Sequence, residues 1–241
     1  DFASGRSAFD RALALAEQMG NPARLAFTLA LRSWIAVLAG DWKNARADLD
    51  RAASVSSQTD HSWYSVYLPI FLARLFLMEG ASDPAATQAR DALTISEQSG
   101  DLQARRLASG VLAELDILEG RPEAARARLL PLLDRSGLEE CDVTLLLPVL
   151  AWAHLELDQV DLAVDAVDQT FRRARPEEMR LALVEALRVR VMIALRRERW
   201  DEAALSLEEG IALARSMPYP YAEARLLELE RLLHAQTGNG G

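Results

Sequence analysis

One helical pattern returns along this chain about every forty residues. It is clearest in "GDWKNARADLDRAA", which runs from Gly40 to Ala53. Related stretches begin at Gly80, Gly120, Asp158 and Glu198. A small residue marks the period, and it is found at Gly5, Ala45, Ala85, Ala125, Ala163 and Ala203, at intervals of 40, 40, 40, 38 and 40 residues. Such a period indicates one structural unit stacked on copies of itself.

Each stretch carries a small, large, mostly small pattern on one face of a helix. In the first complete copy these positions are Ala45, Leu49 and Ala52, spaced by four and then three residues. Small residues let two helix backbones approach closely, and the large residue fills the space beside them. The residues predicted to pack the repeats together are Trp42, Ala45, Leu49, Ala52, Ala85, Ala125, Leu129, Ala163, Trp200, Ala203 and Leu207.

Each repeat is predicted to contain two helices, which we call A and B in that order. Pro122 lies three residues before its anchor alanine, and proline is tolerated only in the first turn of a helix, so the B helix begins there. Gly40, Gly80 and Gly120 precede B helices, where the end of the A helix favours a residue with positive φ. No stretch alternates polar and apolar residues as a strand does. The sequence therefore predicts an all-α chain of about twelve helices, stacked as an α-solenoid superhelix.

This solenoid is expected to form a single helical-repeat domain over residues 1–241. Its approximate units are a half repeat at 1–20, full repeats at 21–60, 61–100, 101–138, 139–176 and 177–217, and a half repeat at 218–241. Both ends fall in phase with the repeat and neither has a polar capping helix, so we expect a segment of a longer protein.

The charge of the chain narrows the classes of partner. Lys and Arg total 27 and Asp and Glu total 36, which gives a formal net charge of −9. Direct nucleic-acid contact needs a basic face and is not expected, although Arg172, Arg173, Arg175 and Arg180 form a local basic strip. The alternative for that strip is a solvated helix end.

Two further features bear on location. The single cysteine, Cys141, excludes an intrachain disulfide and fits a reducing compartment, so we expect a cytoplasmic protein. The most apolar runs, Val66–Met78 and Val143–Leu157, are too short to cross a bilayer and are predicted to be buried helices. No membrane contact is expected.

The B-helix pattern resembles the second half of a tetratricopeptide repeat. That motif reads roughly Gly-Asp-Tyr-x-x-Ala-x-x-x-Phe-x-x-Ala, and the matching positions here are Gly40, Asp41, Trp42, Ala45, Leu49 and Ala52. The chain departs from the family in its forty-residue period, where 34 is usual. It also has Arg32 and Arg190 where the family has leucine.

Forty-residue versions of this repeat are similar to the helical regions of MalT-like, LuxR-type bacterial regulators of the STAND class of signalling ATPases. The segment "SMPYPYAEARLLELERLLHAQTGN", residues 216–239, carries the closest resemblance. The resemblance implies a region that follows a nucleotide-binding domain and receives an inducer or a partner protein. This chain contains no phosphate-binding Gly-x-x-x-x-Gly-Lys-Ser/Thr loop of its own.

The sequence offers little support for catalysis. His61, His154 and His234 are too far apart in sequence for a paired metal motif, and there is no Cys-x-x-Cys. Acidic pairs such as Glu139–Glu140 suit helix starts. We therefore expect no catalytic residues, no metal and no cofactor.

Aromatic and charged residues recur on the A helices at positions that face the concave side of the resembled repeat. Such residues commonly anchor a binding site. The predicted ligand- or partner-binding residues are Phe27, Trp34, Tyr67, Arg74, Glu114, Trp152, Glu185, Arg188 and Met192. The alternative is that they belong to the core of longer helices. If Trp152 only binds a ligand, Trp152→Ala weakens ligand binding and leaves the thermal midpoint nearly unchanged. If Trp152 belongs to the core, the thermal midpoint falls sharply.

The leading functional hypothesis is a non-enzymatic sensing region of a multidomain bacterial transcription regulator or signalling ATPase. It would bind a protein or peptide segment or a small-molecule inducer, and pass a conformational bias to neighbouring domains of the same chain. The alternative is a free-standing scaffold or adaptor that assembles other proteins.

Overall fold

The computed structural model describes residues 2–57, 66–133 and 141–238, and these ranges contain twelve α-helices and no strand. The helices are α1 (Phe2–Gln18), α2 (Pro22–Leu38), α3 (Trp42–Ser56), α4 (Tyr67–Met78), α5 (Ser82–Ser99), α6 (Leu102–Leu118), α7 (Pro122–Leu133), α8 (Cys141–Glu156), α9 (Val160–Ala174), α10 (Arg180–Arg196), α11 (Trp200–Ser216) and α12 (Pro220–Gly238). The even-numbered helices are the A helices of the repeat and the odd-numbered ones are the B helices. The fold is thus the predicted all-α solenoid of tetratricopeptide-like hairpins.

Every B helix begins at the residue that the repeat predicts. Pro122 opens α7, where its missing N–H costs no helical hydrogen bond. The turn before a B helix needs a left-handed residue, and Gly40 and Gly120 supply it with φ of 77° and 73°. In later repeats Asp158 and Glu198 take the same conformation, with φ of 59° and 56°. The turn geometry therefore persists where glycine has been replaced.

The B-helix packing stripe is turned toward the neighbouring A helix. Ala45, Leu49 and Ala52 of α3 are almost fully buried, and α3 packs closely against α2. The other predicted packing alanines and leucines are also buried, namely Ala85, Ala125, Leu129, Ala163, Ala203 and Leu207. Trp42 is half-buried, and its indole N–H donates to the carbonyl oxygen of Val37 at 3.3 Å.

The two most apolar runs form buried A helices, as predicted. In α8 every residue from Asp142 to Leu155 except Leu145 is buried. In α4 the buried residues between Leu68 and Leu77 are Leu68, Ile70, Phe71, Ala73, Leu75 and Leu77, and the others are half-buried. No helix within the described ranges is long and apolar enough to cross a membrane.

Some predicted boundaries differ from the structure. The fifth A helix was expected to begin near residue 177, but α10 begins at Arg180 because Glu178 has a φ of 50° and ends the preceding turn. Residues 58–65, where the second A helix was expected to start, lie outside the described residues. His61 and the Glu139–Glu140 pair also lie outside them.

Two compact units make up the chain, one ending at Leu112 and the other beginning at Ala113, within α6. In the first unit α2 and α4 are neighbours, and α1, α3 and α5 pack beside them as B helices. In the second unit α8, α10 and α12 are successive neighbours. The core of the second unit includes Trp152, Phe171 and Leu187.

Arg32 departs from the family pattern and has carboxylate partners in the first unit. Its Nε and Nη2 lie 2.7 and 2.5 Å from the carboxylate of buried Asp48 on α3, and its Nη1 lies 3.0 Å from Asp10 on α1. Hydrogen bonding to Asp48 is the main reason that the pKa of Arg32 is raised. One guanidinium thus connects three helices, which a leucine at this position would not do.

Candidate functional site

The nine predicted binding residues all lie on even-numbered helices, but in two separate groups. Phe27 and Trp34 of α2 and Tyr67 and Arg74 of α4 lie in the first unit. The second unit contains Glu114 of α6, Trp152 of α8, and Glu185, Arg188 and Met192 of α10.

In the first unit two of the predicted aromatic residues, Trp34 and Tyr67, lie against Phe71. The rings of Trp34 and Phe71 have centroids 5.1 Å apart, and those of Tyr67 and Phe71 are 6.2 Å apart. The hydroxyl of Tyr67 lies 3.2 Å from Asp101 Oδ2 and 3.1 Å from Gln103 Oε1. The tilted contact between Trp34 of α2 and Phe71 of α4 contributes to the packing of these two helices.

In the second unit Trp152 lies at the centre of a cluster of charged residues. It is 7 % exposed and belongs to the core. The guanidinium carbons of Arg188 and Arg225 lie 4.5 and 4.7 Å from its ring centroid, within the range of cation–π attraction. Its indole N–H donates to Glu156 Oε1 at 3.0 Å. Trp152 is therefore both a packed core residue and the platform for two cations.

Arg188 is buried, with 5 % of its surface exposed. Its Nε donates to Glu185 Oε2 at 2.9 Å, and its Nη1 lies 3.3 Å from the sulfur of Met192. Burial and the nearby charge of Arg225 lower the pKa of Arg188, while Glu185 opposes the change. The ordinary pKa of arginine is so high that the side chain stays charged. Glu185 and Trp152 thus compensate for the loss of water around this cation.

Arg225 of α12 completes the cluster and was not among the predicted residues. Its Nη1 lies 3.9 Å from Glu185 and 4.0 Å from Glu114, and its guanidinium carbon lies 5.3 Å from the ring centroid of Tyr221. Burial works against its charge, but Glu185, Tyr221 and Glu114 together outweigh burial and raise the pKa of Arg225. The repeat itself carried the missed signal, because Arg225 is forty residues after Glu185, at the same repeat position.

The charges within the Trp152 cluster balance. Arg188 and Arg225 contribute two positive charges, and Glu114 and Glu185 contribute two negative ones. Glu114 comes from α6 and Arg225 from α12, so the ion pairs join the first and last A helices of this unit. Both arginines of the cluster thus lie within ion-pair distance of a carboxylate, which offsets part of the cost of their burial.

An open groove lies beside the Trp152 cluster, with a volume of about 700 Å³. Its walls come from the last turns of α8 and α10, the start of α11 and the second half of α12. The lining residues are Leu155, Glu156, Met192, Leu195, Arg196, Glu198, Trp200, Leu229, Leu232, Ala235 and Gln236. Met192 belongs to both the cluster and the groove, and Leu232 of α12 is 53 % exposed there. The groove is open to solvent, and its lining combines apolar side chains with the charged Glu156, Arg196 and Glu198.

The rim of the groove carries uncompensated negative charge. Arg196 forms an ion pair with Asp158 at 3.2 Å, so the positive charge of Arg196 already has an anionic partner. Within the described ranges neither Glu156 nor Glu198 forms an ion pair, and both are exposed. Glu156 does accept the indole hydrogen bond of Trp152. Trp200, predicted as a packing residue, is half-buried and presents part of its surface to this groove.

The described residues contain no group of three or more side chains that could hold a metal ion. His154 is buried and its Nδ1 lies 2.7 Å from Gln159 Oε1. Cys141 is exposed, and partial burial of its thiol together with the charge of Asp142 raises its pKa. A raised pKa disfavours the thiolate that a nucleophile needs.

No family model and no curated protein sequence matches this chain. Solved structures match it in fold. It is similar to a Rap protein complexed with Competence and Sporulation Factor, at 15% identity over 91% of this chain, with a TM-score of 0.68. It is also similar to BtubC (BKLC) from P. vanneervenii, at 17% identity over 100% of this chain and 93% of that one, with a TM-score of 0.55. The apo form of RapI matches at 12% identity over 93% of this chain, with a TM-score of 0.53.

The chain spans 62% of the length of the Rap protein and 64% of that of RapI. At such low identity these similarities concern the fold alone, and they agree with a tetratricopeptide-like α-solenoid. The site must therefore be argued from its own geometry.

Proposed function

We propose that this α-solenoid is a non-enzymatic protein-binding scaffold, and that the groove bounded by α8, α10, α11 and α12 receives a peptide or protein segment. The observation that carries the proposal is the groove itself, with an exposed leucine on one wall and the fixed Trp152 cluster beside it. The Rap protein of similar fold was solved in complex with Competence and Sporulation Factor, which supports the proposal that this kind of fold can hold a partner.

The architecture of the second unit suits this role. The core packing and ion pairs around Trp152 hold α8, α10 and α12 together, so the groove is formed before a partner arrives. A preorganised groove lowers the entropy that binding must overcome. An extended or helical segment could then place apolar side chains against Met192 and Leu232.

A random peptide library, displayed on phage and selected against the 241-residue chain, tests the proposal. Selected peptides are resynthesised and titrated against the wild type and Leu232→Glu. Leu162→Glu is a matched control, because Leu162 is also an exposed leucine, at 49 %, but lies on α9 outside the groove. We expect the selected peptides to bind the wild type and Leu162→Glu, and not to bind Leu232→Glu. Peptides that bind all three proteins alike would refute the groove as the site.

The narrower hypothesis is a sensing region of a MalT-like regulator of the STAND class. Its support is the forty-residue period and the resemblance of residues 216–239. A sensor of this kind would be stabilised by a small inducer, because a ligand that binds only the folded state raises the free energy of unfolding. A thermal-shift screen of small metabolites checks this, and no stabilisation by any compound in the absence of a protein partner favours the plain scaffold.

A further inference from the structure

We infer that the groove is specific for a cationic segment, one that inserts a large apolar side chain between α10 and α12 and places a lysine or arginine at the rim. The inference rests on the proposed function and names the chemistry of the partner. It is carried by the combination of an apolar wall with two carboxylates that have no cationic partner in the described residues.

The apolar part of the groove is formed by α10 and α12. Met192, Leu195, Leu229 and Leu232 line it, and Leu155 of α8 lies deeper, fully buried. The volume of about 700 Å³ is within the range of cavities that enclose most of a small ligand. A leucine, phenylalanine or similar side chain entering this space would remove its own surface and that of Leu232 from water.

The polar part of the groove is negative. Glu156 at the end of α8 and Glu198 before α11 are exposed and have no ion pair, whereas Arg196 is paired with Asp158. Trp200 lies at the same rim, and an indole face also attracts cations. These three side chains together form a surface that favours a lysine or arginine of the partner.

An acidic partner is disfavoured by the same residues. Arg196, which lines the groove, is paired with Asp158. Arg188 and Arg225 of the neighbouring Trp152 cluster are engaged by Glu185, Glu114 and the ring of Trp152. An incoming carboxylate would have to displace those contacts and pass Glu156. The formal net charge of −9 adds a long-range repulsion for anions and an attraction for cations.

Two fluorescein-labelled peptides of about 14 residues test the inference, each with leucines at helical spacing. One carries lysine and the other glutamate at the remaining positions, and both are titrated by fluorescence polarisation. We expect the lysine peptide to bind more tightly. The double variant Glu156→Gln/Glu198→Gln should weaken binding of the lysine peptide by about two- to thirtyfold, since exposed ion pairs contribute about 0.2–1 kcal/mol each and each 1.4 kcal/mol is a factor of ten. Asp168→Asn, an exposed charge on α9 outside the groove, is the control and should change the affinity by less than about twofold.

The outcomes separate the inference from the proposed function. If both peptides bind equally and both are lost in Leu232→Glu, the groove binds peptides and the cationic preference is wrong. If Asp168→Asn lowers the affinity for the lysine peptide as much per charge removed as the double variant does, the attraction is due to the overall charge of the chain. The proposed preference of the groove for a cationic segment is then wrong. If neither peptide binds, or if binding ignores Leu232→Glu, both the inference and the groove as a peptide site are refuted.

Discussion

Replacing Trp152 with alanine distinguishes a residue that serves only a binding site from one that also supports the fold. If Trp152 lay on an open concave face, its removal would leave the thermal midpoint nearly unchanged. The structure instead buries it to 7 % exposure within the core of the second unit. It also supports Arg188 and Arg225, whose guanidinium carbons are 4.5 and 4.7 Å from its ring centroid. We therefore expect Trp152→Ala to destabilise the protein substantially.

The magnitude follows from these contacts. Deleting a buried indole costs about 3–5 kcal/mol of unfolding free energy. Loss of the platform beneath Arg188 and Arg225 adds about 0.5–1 kcal/mol for each cation–π contact. The sum is about 4–7 kcal/mol, and for a chain of this length each kcal/mol lowers the midpoint by about 2–4 °C. The expected decrease is thus about 8–28 °C.

Thermal and urea unfolding followed by far-ultraviolet circular dichroism measure this change. Trp152→Phe keeps an aromatic face under the two arginines, so it should lose less than half as much stability. Leu162→Ala, at an exposed position on α9, controls for the effect of a substitution on a helix. A midpoint for Trp152→Ala within about 2 °C of the wild type would refute the core assignment, because it would correspond to at most about 1 kcal/mol.

Glu178, Asp48 and Cys141 provide three further tests of the structure. Glu178→Gly should raise the unfolding free energy by about 1 kcal/mol in urea unfolding, because Glu178 has a φ of 50°, and Glu177→Gly beside it should bring no such gain. Asp48→Ala should cost about 3 kcal/mol in the same assay, because it removes a buried carboxylate and the main partner of Arg32; a loss below about 1 kcal/mol would contradict this. At neutral pH, Cys141 of the folded protein should react with iodoacetamide more slowly than Cys141 of the urea-unfolded chain, because the raised pKa leaves less thiolate. The difference in rate should shrink as the pH rises through the folded pKa. Equal rates at neutral pH would contradict the shift.

The repeat pattern was sufficient to predict the helices. Every B helix begins at its predicted residue because the cues are local: Pro122 fits only a first turn, and Gly40 and Gly120 take positive φ at little cost. The start of α10 was less well predicted, because Glu178 adopts a left-handed conformation that no local rule assigns to glutamate.

The same pattern placed the candidate residues on the correct helices but did not show their contacts. Glu114, Trp152, Glu185, Arg188 and Met192 were predicted from repeat positions alone, and in the second unit all five lie within one cluster or at its border. Arg225 shares the repeat position of Glu185, so the repeat held the signal for it, but the prediction did not include it. Its importance comes from meeting a carboxylate on α6.

The sequence by itself determined the all-α class, the forty-residue unit and the residues at the start of each B helix. These depend on the φ preferences of glycine and proline and on the 3.6-residue period of the helix, which act over one or two turns. Only the tertiary structure decided that Trp152 is buried under two arginines, that Glu114 meets Arg225 from 111 residues away, and that α10 and α12 leave a groove lined by Leu232. The offset and inclination of neighbouring helices set those distances, and they result from the packing of all the side chains between the helices at once.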